Sequence, residues 1–210
     1  MRKITITEAL CDLKLYDSKI QKAIINCQLV NTGKKSSDML GHVKKDTFKD
    51  KARADYQSIK DLISNRDALK RAVVLSNATT NVTVNGEEMT VAAAIEKKSS
   101  IQYLKDLLIA MEDQYSDATR LMQRNNDKME AQIDKMLESF VGKDSDKKVD
   151  KNDLDNIAST YRLANEFELV DPLNIADKIT ELESYISGFE GAVDTSLSIS
   201  NSITYIEVDF

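Results

Sequence analysis

A mainly α chain is predicted: an elongated antiparallel helical bundle or coiled coil with a small antiparallel β-sheet at one end. Three observations predict it. The 210 residues include one Pro and six Gly, too few breaks for a chain rich in loops. Apolar residues recur at steps of three and four through most of the length, the period of an amphipathic helix. Between two such stretches, Asn85-Gly86 separates Val82-Thr83-Val84 from Glu87-Glu88-Met89. Asn-Gly tolerates positive φ at both centres of a two-residue turn, so it closes a β-hairpin.

The first helix opens at a capping box, Thr5 with Glu8 three residues on. Leu10, Leu13, Tyr16, Ile20, Ile24, Cys27 and Val30 form its stripe, and Asn31-Thr32-Gly33 is the expected end. Cys11 and Cys27 lie on this one helix, ~24 Å apart along its axis, beyond disulfide reach. They are expected to be buried free thiols in a reducing compartment. Residues 32–46 show no period and carry the single histidine, His42, so they are expected to form a polar, Lys-rich loop.

A second helix is expected from Phe48 to Leu75, with Arg66 interrupting its stripe where it meets a partner or a solvated edge. The hairpin follows, and Thr90 is placed to cap the next helix with its hydroxyl. That third helix runs from Val91 towards Phe140, ~75 Å if continuous. From Ile101 a heptad holds. One seam reads Ile101, Leu108, Tyr115, Met122, Met129 and Met136. The other reads Leu104, Met111, Ala118, Asn125, Gln132 and Ser139. In the second half of the heptad the first seam is methionine and the other polar. A buried Asn fixes register and partner number in coiled coils, and Met packs adaptably at interaction surfaces. Met122, Asn125, Met129, Gln132 and Met136 are therefore the expected interface of an arm spanning 110–165. The core, 1–109 with 166–210, is expected to hold the β platform.

Gly142 to Asp155 places Asp144, Asp146, Asp150, Asn152 and Asp155 at positions one, three, seven, nine and twelve of a calcium loop. Lys148 stands at position five, Val149 replaces the glycine at six, and the last ligand is Asp instead of Glu. A lysine cannot ligate calcium, so a polar turn is expected. A fourth helix from Asn152 to Asn165 should fold back on the arm, with Leu154, Ile157, Ala158, Tyr161 and Ala164 on one side.

The last helix is expected to open at Asp171-Pro172, with Ile175, Ile179, Leu182, Ile186, Phe189, Val193 and Leu197 as its stripe. Gly188 and Gly191 tax it or permit a close helix contact. Residues 203–209 then alternate, with Thr204, Ile206, Val208 and Phe210 on one side, which reads as a strand. A two-stranded hairpin is marginal alone, so this strand is expected to pair with the hairpin at 82–90.

Three segments, ITEALCDLKLYDSKIQKAI, the Asn77–Thr80 region with the hairpin and MTVAAAIEKK, and VDTSLSISNSITYIEV, resemble the septicolysin-like family of small helical bacterial and phage proteins. Together they cover about half of the chain, and residues 110–165 look like an insertion. The resemblance implies a helical, self-associating protein and names no activity.

Charge narrows the partners. The net charge of −6 argues against a dedicated nucleic-acid binder. Residues 1–50 hold ten Lys/Arg and six Asp/Glu, whereas 166–210 hold one and ten. The chain ends are therefore expected to be neighbours. No apolar run approaches membrane-span length and MRKITITEAL lacks a signal-like apolar run, so no membrane partner is expected. The expected location is the cytoplasm, that of the host if the chain is phage-encoded. Neither a phosphate loop, a CxxC nor an HExxH occurs, and no cofactor or metal is expected. A polar cluster of Arg71, Asn77, Thr79, Thr80, Asn81 and Asn201 is the candidate site for a small polar ligand. The same side chains also suit the satisfaction of backbone groups where helices end and strands begin. The expected function is that of a non-enzymatic homo-oligomer acting through protein contacts, as a phage assembly component or an inhibitor of a host protein. The alternative is a module that sequesters a nucleotide-like signal molecule at the platform.

Overall fold

The computed structural model describes residues 2–143 and 151–209. Among them are five helices and three two-stranded antiparallel sheets. They fall into two compact units, residues 1–100 with 188–210, and residues 101–187. The sequence reading drew its arm at 110–165.

The first unit opens with β1 (Arg2–Thr5), which leads into α1 (Ile6–Asn26) through the expected capping box. Glu8 N–H donates to Thr5 Oγ1, and Thr5 N–H donates to the Glu8 carboxylate at 2.8 Å. The helix ends earlier than expected, with Cys27 in extended backbone as its C-cap. Its buried residues are Ile6, Ala9 and Leu13; of the expected stripe Leu13 is buried and Tyr16 packs against the same cluster, whereas Leu10, Ile24 and Val30 are exposed. Both cysteines are free, but Cys11 lies off the stripe and is exposed, and Cys27 is half-buried, so the expectation of two buried thiols is corrected.

The polar loop contains a second small hairpin that the sequence reading missed, β2 (Met39–Leu40) and β3 (Val43–Lys44). It turns through Gly41 at φ 60 and His42, and a Gly with positive φ at the first centre is what a primed turn admits. Then α2 (Lys45–Thr79) runs antiparallel to α1. Arg66, the break in its stripe, donates to Asp17 of α1 at 2.6 Å, so it is an inter-helix ion pair.

β4 (Asn81–Val84) and β5 (Glu87–Thr90) pair in the expected register, with Asn85 at φ 50 and Gly86 at φ 81. Thr90 Oγ1 accepts from Ala93 N–H and caps α3 (Val91–Lys143). The last helix, α5 (Ile175–Ile203), contributes its final turns to this unit. A Cβ at Gly188 would lie 2.6 Å from the Asn85 side chain, so this glycine lets the hairpin turn approach the helix. Lys98 and Asp194 join α3 to α5 at 2.5 Å.

The C-terminal strand corrects a central expectation. β6 (Tyr205–Val208) pairs with β1 and not with the 82–90 hairpin, in the register Arg2↔Val208, Ile4↔Ile206. Ile4, Ile206 and Val208 point onto Ile6, Ala9, Leu13, Leu69 and Val73, and this cluster is the core beneath the ribbon. The ribbon gains from helix packing the stability that two strands lack alone. At the hairpin, Ser196 Oγ of α5 donates to Thr83 C=O at 2.9 Å, so a helix side chain meets a β4 carbonyl. The chain ends are neighbours as expected, but backbone pairing holds them. Lys3 stands opposite Glu207 and 5.2 Å from the Tyr205 ring, so charge adds to a contact that hydrogen bonds already fix.

In the second unit α3 is paired with α4 (Lys151–Asn165). The expected start of the last helix at Asp171-Pro172 is corrected. Asn174 takes φ 51, which breaks the helix, and α5 begins at Ile175. The Asp171 carboxylate instead accepts from Leu173 N–H and Ile175 N–H, holding the turn before it. Of the stretch with the pattern of a calcium loop, residues 144–150 lie outside the described ones, as does Phe210.

Candidate interaction surfaces

The second unit is an antiparallel helical hairpin whose returning leg is broken between α4 and α5. Met129, Ile133 and Ala158 are buried together, with Leu137 and Tyr161 packed against them. Arg162 donates through Nε and an Nη to both Glu130 oxygens, at 2.6 and 2.7 Å, so α4 is pinned in register on α3. Asn126 pins the break itself. Its Nδ2 donates to Phe167 C=O at 2.9 Å, and its Oδ1 accepts from Phe167 N–H at 2.8 Å. One side-chain amide thus satisfies both backbone groups of a residue that lies beyond the end of α4.

The expected Met interface is divided by this arrangement. Met129 is buried in the α3–α4 core, so it holds the hairpin and is not on its surface. Met136 lines a cavity of about 460 Å³ with Ile157 and Tyr161. Met122 and Asn125 are half-buried, and Gln132 is exposed. Ile133 is buried beside the exposed Gln132, in the direction in which an α-helix drifts, by ~20° per heptad, against a strict 3.5-residue repeat. The polar role foreseen for Asn125 falls to Asn126.

A cleft of about 710 Å³ lies between α3 and α5 of this unit. Leu107, Ala110 and Met111 form one wall, and Leu182, Tyr185 and Leu173 belong to the other side. Lys178 and Glu181 pair across 2.6 Å on its lining. Leu107 is 50% exposed and Leu173 64%, so the walls are open to solvent. The sequence held a signal for this cleft. Tyr103, Leu107 and Ala110 recur at helical spacing beside the heptad and Leu121 follows three turns on, past Gln114, a second, mostly apolar stripe that the heptad obscured.

In the first unit, three of the six side chains of the polar cluster bond to groups outside it. Asn81 Nδ2 donates to Glu88 at 3.0 Å, and the Thr79 hydroxyl donates back to Leu75 C=O. Ser76 and Thr80 hydroxyls are 3.4 Å apart. Thr80 and Asn81 line a groove of about 310 Å³ with Ser196, Ser200 and Ile203, but Arg71, exposed on α2, and Asn77 and Asn201, both half-buried, are not part of its lining. The cluster thus comes together only in part, and the groove lining includes no cation. His42 is exposed in the small turn, and among the described residues no group of three His, Cys, Asp or Glu side chains is placed to hold a metal ion.

No family model, curated protein or solved structure matches this chain. Among the described residues no helix is long and apolar enough to cross a membrane.

The Arg162 hydrogen bond and its charge hold the Glu130 carboxyl below its ordinary range, and Glu130 in turn raises Arg162. A carboxyl depressed on folding stabilises above its unfolded pKa, and that contribution is lost as pH falls through the folded value. The melting temperature should therefore fall as pH drops below the usual carboxylate range, and part of that fall should be absent in Glu130→Gln. The measurement is thermal unfolding by circular dichroism across that range. An identical pH profile for the variant would contradict the pairing.

Proposed function

We propose that this chain is a non-enzymatic homo-oligomeric protein that acts through protein–protein contacts, as a component of an assembly. The observation that carries the reading is the open apolar cleft of the second unit together with the second apolar stripe of α3. Tyr103 is 76% exposed and Leu121 55%, on a hairpin only two helices thick. Helix pairs bury a second face by adding helices, and four-helix bundles built from two hairpins are the simplest way to do so. Soluble monomers rarely leave a contiguous apolar surface of this kind open.

The septicolysin-like resemblance supports the same reading, since it implies self-association. Leu107→Gln tests it, because Leu107 is half-exposed and its loss leaves the hairpin core of Met129, Ile133 and Ala158 intact. Sedimentation velocity should show weakened association by about tenfold, roughly the 1.4 kcal/mol that a tenfold change represents. An unchanged distribution would remove the cleft from the interface.

A further inference from the structure

We infer that the acidic apolar strap at the mouth of this cleft docks the basic apolar tip of the first unit of a second copy; the inference rests on the oligomeric reading above. The strap is residues 163–173, LANEFELVDPL, which carry Glu166, Glu168 and Asp171 and no Lys or Arg. Leu163 is 89% exposed, Val170 84% and Phe167 51%. Leu173 belongs both to the strap and to the cleft, so the two make one continuous surface.

The tip is the end of the α1–α2 hairpin. Residues 19–53 hold nine Lys/Arg against three Asp, in a chain whose net charge is −6. Two of those acids are already paired on their own helix, Asp46 with Lys49 and Asp50 with Arg53. Lys22, Lys34, Lys35 and Lys44 are exposed and have no acidic partner among the described residues. Between them stand exposed apolar side chains, Ile25, Val30, Met39 and Val43. Basic and apolar groups alternate on the tip as acidic and apolar groups alternate on the strap. Each surface supplies what the other lacks, and opposite potentials both steer an encounter and fix its register.

Both surfaces are held in shape before any contact. The strap backbone is fixed by the two Asn126 bonds to Phe167 and by Asp171. At the tip, Lys45 Nζ donates to Lys34 C=O at 2.7 Å and Lys45 N–H to Asp38 C=O at 2.8 Å. Gly33 sits so close to Leu40 that a Cβ there would lie 2.3 Å from its Cδ2. Ordering two loops on binding would oppose association, and here that cost falls on folding instead. Nucleic acid is a poorer occupant of the tip, because its aromatic side chains are only His42 and the half-buried Phe48 and eight of its nine cations are Lys.

The test is a charge exchange on the full chain, read by light scattering and sedimentation. Lys34→Glu with Lys35→Glu, and separately Glu166→Lys with Glu168→Lys, should each weaken association by about tenfold or more. Mixing the two variants should restore it, since the reversed tip of one then faces the reversed strap of the other. The wild-type protein, needing no substitution to fold, should associate more weakly at about 0.5 M than at about 0.05 M salt. Oligomers that persist unchanged in both variants, or that strengthen with salt, overturn the tip–strap contact and leave the oligomeric reading standing. Wild-type protein that stays monomeric in low salt overturns both.

Discussion

Ile206→Ala and Ile4→Ala are each expected to cost about 2–5 kcal/mol of unfolding free energy. Both side chains are buried, Ile206 at 7% and Ile4 at 3% exposure, and they stand opposite each other across the β1–β6 ribbon. Each removal leaves a void against Leu69 and Val73, the helix side of the same cluster. The two losses should also fail to add, with a coupling of about 0.5 kcal/mol or more, because each variant removes part of the other's surroundings. Urea unfolding of the two single variants and the double variant measures all of this. Strict additivity would mean that the C-terminal strand does not pair with the N-terminal one.

The second large effect is expected at Phe189. Its ring is 1% exposed, and Phe→Ala in a core costs about 3–5 kcal/mol. The ring also lies 5.3 Å from the Lys97 ammonium, which is bound to Glu87 of β5 at 2.7 Å. Losing the ring thus removes a core anchor and the aromatic face under the lysine that links α3 to the hairpin. Against a typical total of about 5–15 kcal/mol, Phe189→Ala should leave the first unit marginal. A Phe189→Leu variant, which keeps most of the apolar volume, should recover a large part of the loss. A loss below about 1 kcal/mol for the alanine variant would contradict the burial.

The elements with a local chemical signature were legible. Asn85-Gly86 fixed its own turn, Thr5 with Glu8 and Thr90 fixed two helix starts, and the stripe Ile186, Phe189 and Val193 is buried as its spacing implies. What was not legible depended on partners distant in sequence. Residues 2–5 alternate Lys3, Ile4 and Thr5, but four residues beside a capping box read as a helix entry until Ile206 and Val208 are opposite them. Asp171-Pro172 has the composition of a helix start, yet Asn174 at φ 51 places the start beyond it. The cleft was hidden because one helix carries two apolar stripes, and a heptad tracks only the first. The polar cluster was legible only in part, since one groove gathers Thr80 and Asn81 and leaves Arg71, Asn77 and Asn201 out of its lining.

The most direct measurement is the mass of the wild-type protein in low salt by size-exclusion chromatography with multi-angle light scattering, over a wide range of loading concentration. The account predicts a mass that rises with concentration to a multiple of 23.6 kDa, since the proposal has a second chain cover the exposed cleft. A single species of 23.6 kDa at every concentration would contradict it.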